Sequence, residues 1–313
     1  MLQIFRLSLE AVFPILILIA LGYLLRRIDI IAENMVFPIN RLVFRVFLPC
    51  NLFCTMLNSD FSGGVNIGAI FYAAGTIIGL FVFLMLVVPH TVKEPKAAPV
   101  IVQAIYRSNF GLLGIIIAEN LCEAGEFKEV AGMLAVIIPL FNVLSVICFE
   151  TLRGNRVELG SILRRIATNP LILAAILGAA CSLAGIRLPV LLRQTVNQLS
   201  AAAAPVGLIV LGACFSLQDV IRSRGLVASV TLLRLLAVPV IFLTGACLLG
   251  IRGGSLVGLL GMYASPCAIA SAPMAYEMGG DGKLAGQFVA TTSALCPFTL
   301  FIVIAGLKAF SML

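Results

Sequence analysis

The sequence predicts an all-α polytopic membrane protein, and three observations carry that prediction. Of 313 residues, 61% are apolar and only 11% are charged, against roughly 25% charged in soluble domains. The charges avoid ten long apolar runs, several of which reach the ~20 residues that a helix needs to cross ~30 Å of hydrocarbon. Two of the runs are interrupted by proline, glycine and serine where a continuous helix would fail.

The runs cover residues 8–27, 35–57, 65–88, 99–119, 130–150, 169–186, 194–217, 226–250, 255–277 and 285–310. The first holds Glu10 near its start and ends in Arg26 and Arg27 without a small-residue cleavage pattern, so it is expected to be a retained span and not a signal peptide. The net charge of +7 concerns sidedness and not nucleic acid, because Lys and Arg collect on the cytoplasmic side of a membrane. The connections after runs 1, 3, 5, 7 and 9 hold eleven cations: Arg26, Arg27, Lys93, Lys96, Arg153, Arg156, Arg164, Arg165, Arg222, Arg224 and Lys283. The other side holds six, Arg6, Lys128, Arg187, Arg193, Arg252 and Lys308, with the acidic stretch Glu123, Glu126 and Glu129. This asymmetry predicts a multi-pass protein of the cell inner membrane with both termini on the periplasmic side. Nine cysteines are scattered without CxxC spacing and are read as small core residues, with no metal site expected.

The polar connection from Arg153 to Thr168 divides the chain into 1–155 and 156–313. A shift of about 155 positions aligns Pro49 near Pro205, Asn40 near Asn197, Leu42 near Leu199, Gly125 to Lys128 with Gly280 to Lys283, and Pro139 near Pro297. A unit of five spans crosses the membrane an odd number of times, so its second copy starts from the opposite side. The expected architecture is two inverted five-helix repeats, a plan that transporters use to expose one central site alternately to each side.

Runs 4 and 9 are the poor helices. Run 4 reads YRSNFGLLG, with Arg107, Ser108, Asn109, Gly111 and Gly114; run 9 reads ASPCAIASAPMAYE, with Ser265, Pro266, Ser271 and Pro273. Proline removes a backbone donor, and glycine costs about 1 kcal/mol relative to alanine in a helix interior. Peptide groups released at such breaks must find protein, water or ligand. Half-helix N-termini there would favour a carboxylate, aided by Asn109, Ser108, Ser265 and Ser271. The competing reading is that Gly and Ser simply allow close helix packing; the correspondence of the two breaks favours a binding cavity.

Arg107 and Arg234 lie inside spans, where a charge must be paired, line a water-filled path, or snorkel to the interface. Glu119 and Glu277 follow the two breaks and are candidates for proton or cation coupling, while Glu10 and Glu150 are read as facing water near span ends and His90 as solvated. Gln287, Thr291, Thr292 and Ser293 offer oxygens that could hold sodium or only pack. No HExxH, nucleophile elbow, phosphate-binding Gly-Lys motif or nucleotide-binding domain is present, so transport is expected to be secondary or passive, with no cofactor and no catalytic group.

The segments FPILILIALGYLLRRIDII, NRLVFRVFLPCNLF, RSNFGLLG, ASPCAIASAPMAYEMGGD and ATTSALCPFTL together resemble the auxin efflux carrier family, which includes the plant PIN-formed auxin exporters and bacterial malonate carriers. The resemblance covers essentially the whole chain. It implies ten helices in two inverted repeats, with crossed broken helices 4 and 9 around the substrate. It also implies a scaffold domain of helices 1, 2, 6 and 7, a transport domain of helices 3–5 and 8–10, elevator-like movement and a homodimer. Asn109 and the Pro266 region carry over as the binding neighbourhood. The chain departs from the family in having Gly114-Ile115-Ile116 where a Gly-apolar-Pro arrangement is common, so its first break relies on Asn109, Gly111 and Gly114. The expected cargo is a small organic acid anion, auxin-like or a dicarboxylate such as malonate. The alternatives are a sodium-coupled carrier similar to the bile acid/sodium symporters, and a non-transporting membrane sensor or enzyme.

Overall fold

The computed structural model describes residues 2–58, 66–123, 125–152, 160, 164, 166–186, 188–310 and 312. Arg153, Arg156, Arg165 and Arg187, counted above for sidedness, lie outside these residues. Among the described residues the backbone is helical apart from connections and one isolated antiparallel bridge. In chain order the helices are α1 (Leu2–Arg27), α2 (Glu33–Leu57), α3 (Ile67–Thr91), α4 (Ala98–Tyr106), α5 (Phe110–Leu121), α6 (Phe127–Leu152) and α7 (Pro170–Leu183). They continue as α8 (Val190–Cys214), α9 (Leu217–Arg222), α10 (Arg224–Leu248), α11 (Gly253–Ala264), α12 (Ser271–Glu277) and α13 (Gly282–Ala309). Six of them, α2, α3, α6, α8, α10 and α13, are long and apolar enough to cross a membrane, and α5, α7 and α11 are shorter apolar helices.

Local chemistry sets several boundaries. Asn66, Asn169 and Asp281 cap α3, α7 and α13, their side-chain oxygens accepting from the N–H groups of Ala69 at 3.1 Å, Leu171 at 2.9 Å and Leu284 at 3.0 Å; each satisfies a donor that the first helical turn leaves free. Pro170 then occupies the first position of α7, where a missing N–H costs nothing. Long helices α2 and α10 each widen into a π-helical turn, Val43–Phe47 ahead of Pro49 and Leu233–Ala237 ahead of Pro239. The wider turn accommodates the proline ring and the hydrogen bond it removes.

Helix packing relies on small residues, as expected where lipid tails are as apolar as leucine and close van der Waals contact drives association. Helix α1 packs on α8 and α13, and α2 on α7 and α8. Helix α3 packs on α4 and α6, and α11 on α5, α6 and α10. Gly178 of α7 rests on the backbone of Phe53 in α2, and Gly261 of α11 on the backbone of Gly114 in α5. The outer surface is strongly apolar, with Phe71, Leu191 and Leu248 largely exposed, which suits hydrocarbon and not water as the surrounding solvent.

Candidate functional site

Helix α4 stops at Tyr106 and α5 begins at Phe110; α11 stops at Ala264 and α12 begins at Ser271. The two non-helical stretches lie against each other. Ser108 and Cys267 form the antiparallel bridge, and the Asn109 N–H donates to the Pro266 carbonyl at 2.8 Å. The Cys267 N–H donates to Thr292 Oγ1 at 3.1 Å. Each break thus satisfies part of the other, which is how non-helical backbone persists at membrane depth. The N–H groups of Asn109 and Cys267 are therefore engaged within the protein. The sequence-based expectation of free backbone donors at the breaks does not hold at these two positions.

A cavity of about 400 Å³ opens beside the crossing. Apolar groups of α2, α5, α6, α7 and α8 form most of its wall, and its polar contributions come from Asn51, Thr55, Arg107, Ser108, Asn109 and Asn142. Arg107 is only 5% exposed. Its guanidinium donates to Asn142 Oδ1 at 2.9 Å, Ser145 Oγ at 3.3 Å and the Met274 sulfur at 3.2 Å, all neutral partners. Among the described residues the ion pairs are Arg6–Glu10, Arg26–Glu33, and Arg41 and Arg45 with Glu277, so the Arg107 charge has no anionic partner. Asn109 Nδ2, Ser108 Oγ and Ser271 Oγ are buried without a hydrogen-bond partner. Buried polar groups are nearly always satisfied, so orphans on a cavity wall keep hydrogen-bonding capacity for whatever occupies the cavity. A cation with only neutral partners and two orphaned polar groups, Ser108 Oγ and Asn109 Nδ2, thus line one hollow.

Comparison with known proteins gives this geometry its context. The family description "membrane transport protein" matches the chain twice in succession, over residues 7–155 and 155–304. The chain belongs to the membrane transport protein family. It is the family of the auxin efflux carriers that the sequence resembles. An uncharacterized transporter of Methanothermobacter thermautotrophicus is 27% identical over 313 residues, spanning 96% of this chain and 100% of the relative. Another uncharacterized transporter, from Methanocaldococcus jannaschii, is 24% identical over 309 residues, spanning 94% and 97% of the two chains.

In this membrane transport protein the sequence-derived candidates separate into groups. Arg107, Ser108, Asn109, Gly111 and Pro273 line the cavity. Ser271 is buried at the start of α12 with its hydroxyl free. Gly114 is a packing residue, since a Cβ there would meet the Phe110 ring at 2.3 Å and Gly261 already abuts it. Ser265 is fully buried and donates its hydroxyl to the Gly261 carbonyl, while Pro266 supplies the carbonyl for Asn109.

The coupling candidates lie elsewhere. Glu119 is exposed near the end of α5. Glu277 is held by Arg45 at 2.6 Å, with Arg41 at 3.8 Å, so it links the end of α12 to α2. Gln287 accepts from Ser223 Oγ at 2.7 Å, Thr292 donates to the Phe288 carbonyl at 2.6 Å, Thr291 is half-buried, and Ser293 is buried with a free hydroxyl.

Sequence reading did not assign Asn142 or Ser145, which fix the Arg107 fork, nor Asn51 and Thr55 on the facing wall. A lone Asn in the apolar stretch of run 5 was the available signal, because polar side chains inside spans are rarely idle.

Proposed function

We propose that this protein is a secondary transporter that carries a small organic acid anion across the inner membrane. Its carboxylate sits at the crossing of the two broken segments, against Arg107, Asn109 and Ser108. The carrying observation is the buried, carboxylate-free Arg107 on the wall of a cavity whose neighbouring polar atoms lack partners. One cation without a carboxylate partner among the described residues, within a mostly apolar wall, favours a single carboxylate on an apolar body, an indole acid in preference to a dicarboxylate such as malonate.

The path is alternating access. Ten spans in two inverted five-helix halves, with helices 1, 2, 6 and 7 as a fixed scaffold and the remaining spans moving as an elevator, supply two openings to one site. The tandem family match supports duplication, and the packing of α2 on α7 and α8 supports a shared framework. A homodimer joined through that framework and periplasmic termini complete the reading. Sodium coupling through Gln287 and Thr292 is disfavoured because those side chains are already engaged.

Asn109→Ala tests the site directly. The Asn109 backbone makes the bond to Pro266 and its Nδ2 makes none, so the variant is expected to keep its melting temperature. A hydrogen bond to a charged group contributes about 1.5–3 kcal/mol, so transport of the preferred carboxylate should fall about 10- to 100-fold. Uptake of radiolabelled indole-3-acetate and malonate into proteoliposomes, normalised to reconstituted protein, measures this, and unchanged uptake of both by the variant would reject the site.

A further inference from the structure

Arg234, in the π-helical turn of α10, is fully buried. It does not snorkel, and it meets no carboxylate among the described residues. Its fork instead collects backbone carbonyls from both broken segments: Nε donates to Ser265 at 3.0 Å, Nη1 to Ile105 at 3.1 Å, and Nη2 to Met262 and Ser265, each at 2.9 Å. Ile105 lies in the last turn of α4, and Met262 and Ser265 lie at the end of α11. The guanidinium therefore sits where the C-terminal ends of two half-helices converge. Each such end carries about half a negative charge and carbonyls without intrahelical partners. A cage of converging carbonyls at half-helix C-termini is what transporters of this general plan use to hold a monovalent coupling cation.

We propose that Arg234 is this protein's built-in cation: its guanidinium permanently occupies the carbonyl cage at the crossover, so that no dissociable sodium ion is needed to assemble the anion site. Charge and valence both favour this assignment. Two half-helix ends offer about one negative charge, which one guanidinium balances. Its planar fork serves three carbonyls with four hydrogen bonds, a geometry that a lysine point charge matches only in part. Arg234 touches no part of the proposed anion site. It is a positioning residue that draws the two half-helix ends together and so fixes where Ser108 and Asn109 stand. Its bearing on transport rests on the reading given above; its bearing on cation requirement does not.

The test replaces the fixed cation and asks whether a free one takes its place. The full-length protein and the variants Arg234→Ala, Arg234→Lys and Arg234→Met are purified in detergent. Each is melted in choline chloride, in sodium chloride, and in choline chloride with low-millimolar guanidinium. The parent is expected to melt at the same temperature in all three. Arg234→Ala is expected to melt lower in choline and to regain at least about 3 °C in sodium or guanidinium, the shift that a saturating ligand of the folded state produces. Arg234→Lys should be more stable than Arg234→Met, because charge and not volume is what the carbonyls require. Selective stabilisation of the parent by sodium would overturn the proposal, as would an Arg234→Ala protein indifferent to all three cations. If Arg234→Ala yields no folded protein, the Lys and Met variants decide: Arg234→Met equal to or better than Arg234→Lys shows that the site needs no cation. These readouts involve no substrate, so a failed cation test leaves the anion reading standing and a failed anion test leaves this one standing.

Discussion

Arg107→Met is expected to abolish anion transport while leaving the protein as stable as the parent or slightly more so. The two halves of this outcome have one cause. A guanidinium that is 5% exposed with only neutral partners bears a desolvation cost without a compensating charge, and replacing buried ionic groups by apolar ones of similar volume is often neutral or stabilising. With an anion in the cavity the balance reverses. At about 4 Å and an effective dielectric near 20, one pair of opposite charges is worth about 4 kcal/mol. Losing even part of this should lower carboxylate transport about 100-fold or more. Proteoliposome uptake of labelled indole-3-acetate and malonate, measured beside the melting temperature of the same preparation, reads both halves. If Arg107 only held α4 against α6, the variant would melt lower and its transport would fall in proportion to the folded fraction. That pattern would remove Arg107 from the proposed anion site.

The legibility of this fold follows how locally each feature is encoded. Run 99–119 is broken into Ala98–Tyr106 and Phe110–Leu121, and run 255–277 into Gly253–Ala264 and Ser271–Glu277, where the Ser-Asn-x-Gly and Ser-Pro segments predicted a failure of the helix. Those segments act on their own backbone, so the sequence announces them. Apolar runs are legible for the same reason: run 35–57 is seen at Glu33–Leu57 and run 226–250 at Arg224–Leu248.

Partner choice is a different matter. Arg107 finds Asn142, Arg234 finds carbonyls at Ile105 and Met262, and Arg45 finds Glu277, each across a long stretch of chain. Nothing within a turn or two of Arg234 distinguishes a carbonyl clamp from an anion attractor. Gly114 illustrates the same limit, since only the approach of Gly261 reveals its close packing. The two helix breaks were therefore legible in the sequence, and the different partners of Arg107 and Arg234 were not.

The framework around that site makes a second strong prediction through glycine. Gly22 of α1 faces Ile209 of α8, and Gly212 of α8 faces Ile19 of α1, so that a Cβ on either would stand 2.0 Å from a backbone carbonyl oxygen. A flexible side chain could swing away from such a contact, whereas a helix backbone cannot, so the whole α1–α8 pair must separate and surrender its packing. Overpacking of this kind costs about 1–3 kcal/mol and occasionally more. Gly212→Ala is thus expected to lower the melting temperature by about 2–5 °C, and Gly212→Leu to leave little folded protein. Gly79 of α3 provides the contrast, because nothing lies within 4 Å of a Cβ placed there. Alanine is the better helix former by about 1 kcal/mol, so Gly79→Ala should hold or raise the melting temperature. Both are single-methyl additions inside long helices, so propensity alone predicts the same sign for each. Opposite signs in parallel thermal melts would establish that α1 and α8 are held backbone to backbone. Equal shifts would mean that the contact is looser than the geometry indicates, and that the proposed fixed framework has lost one of its two main seams.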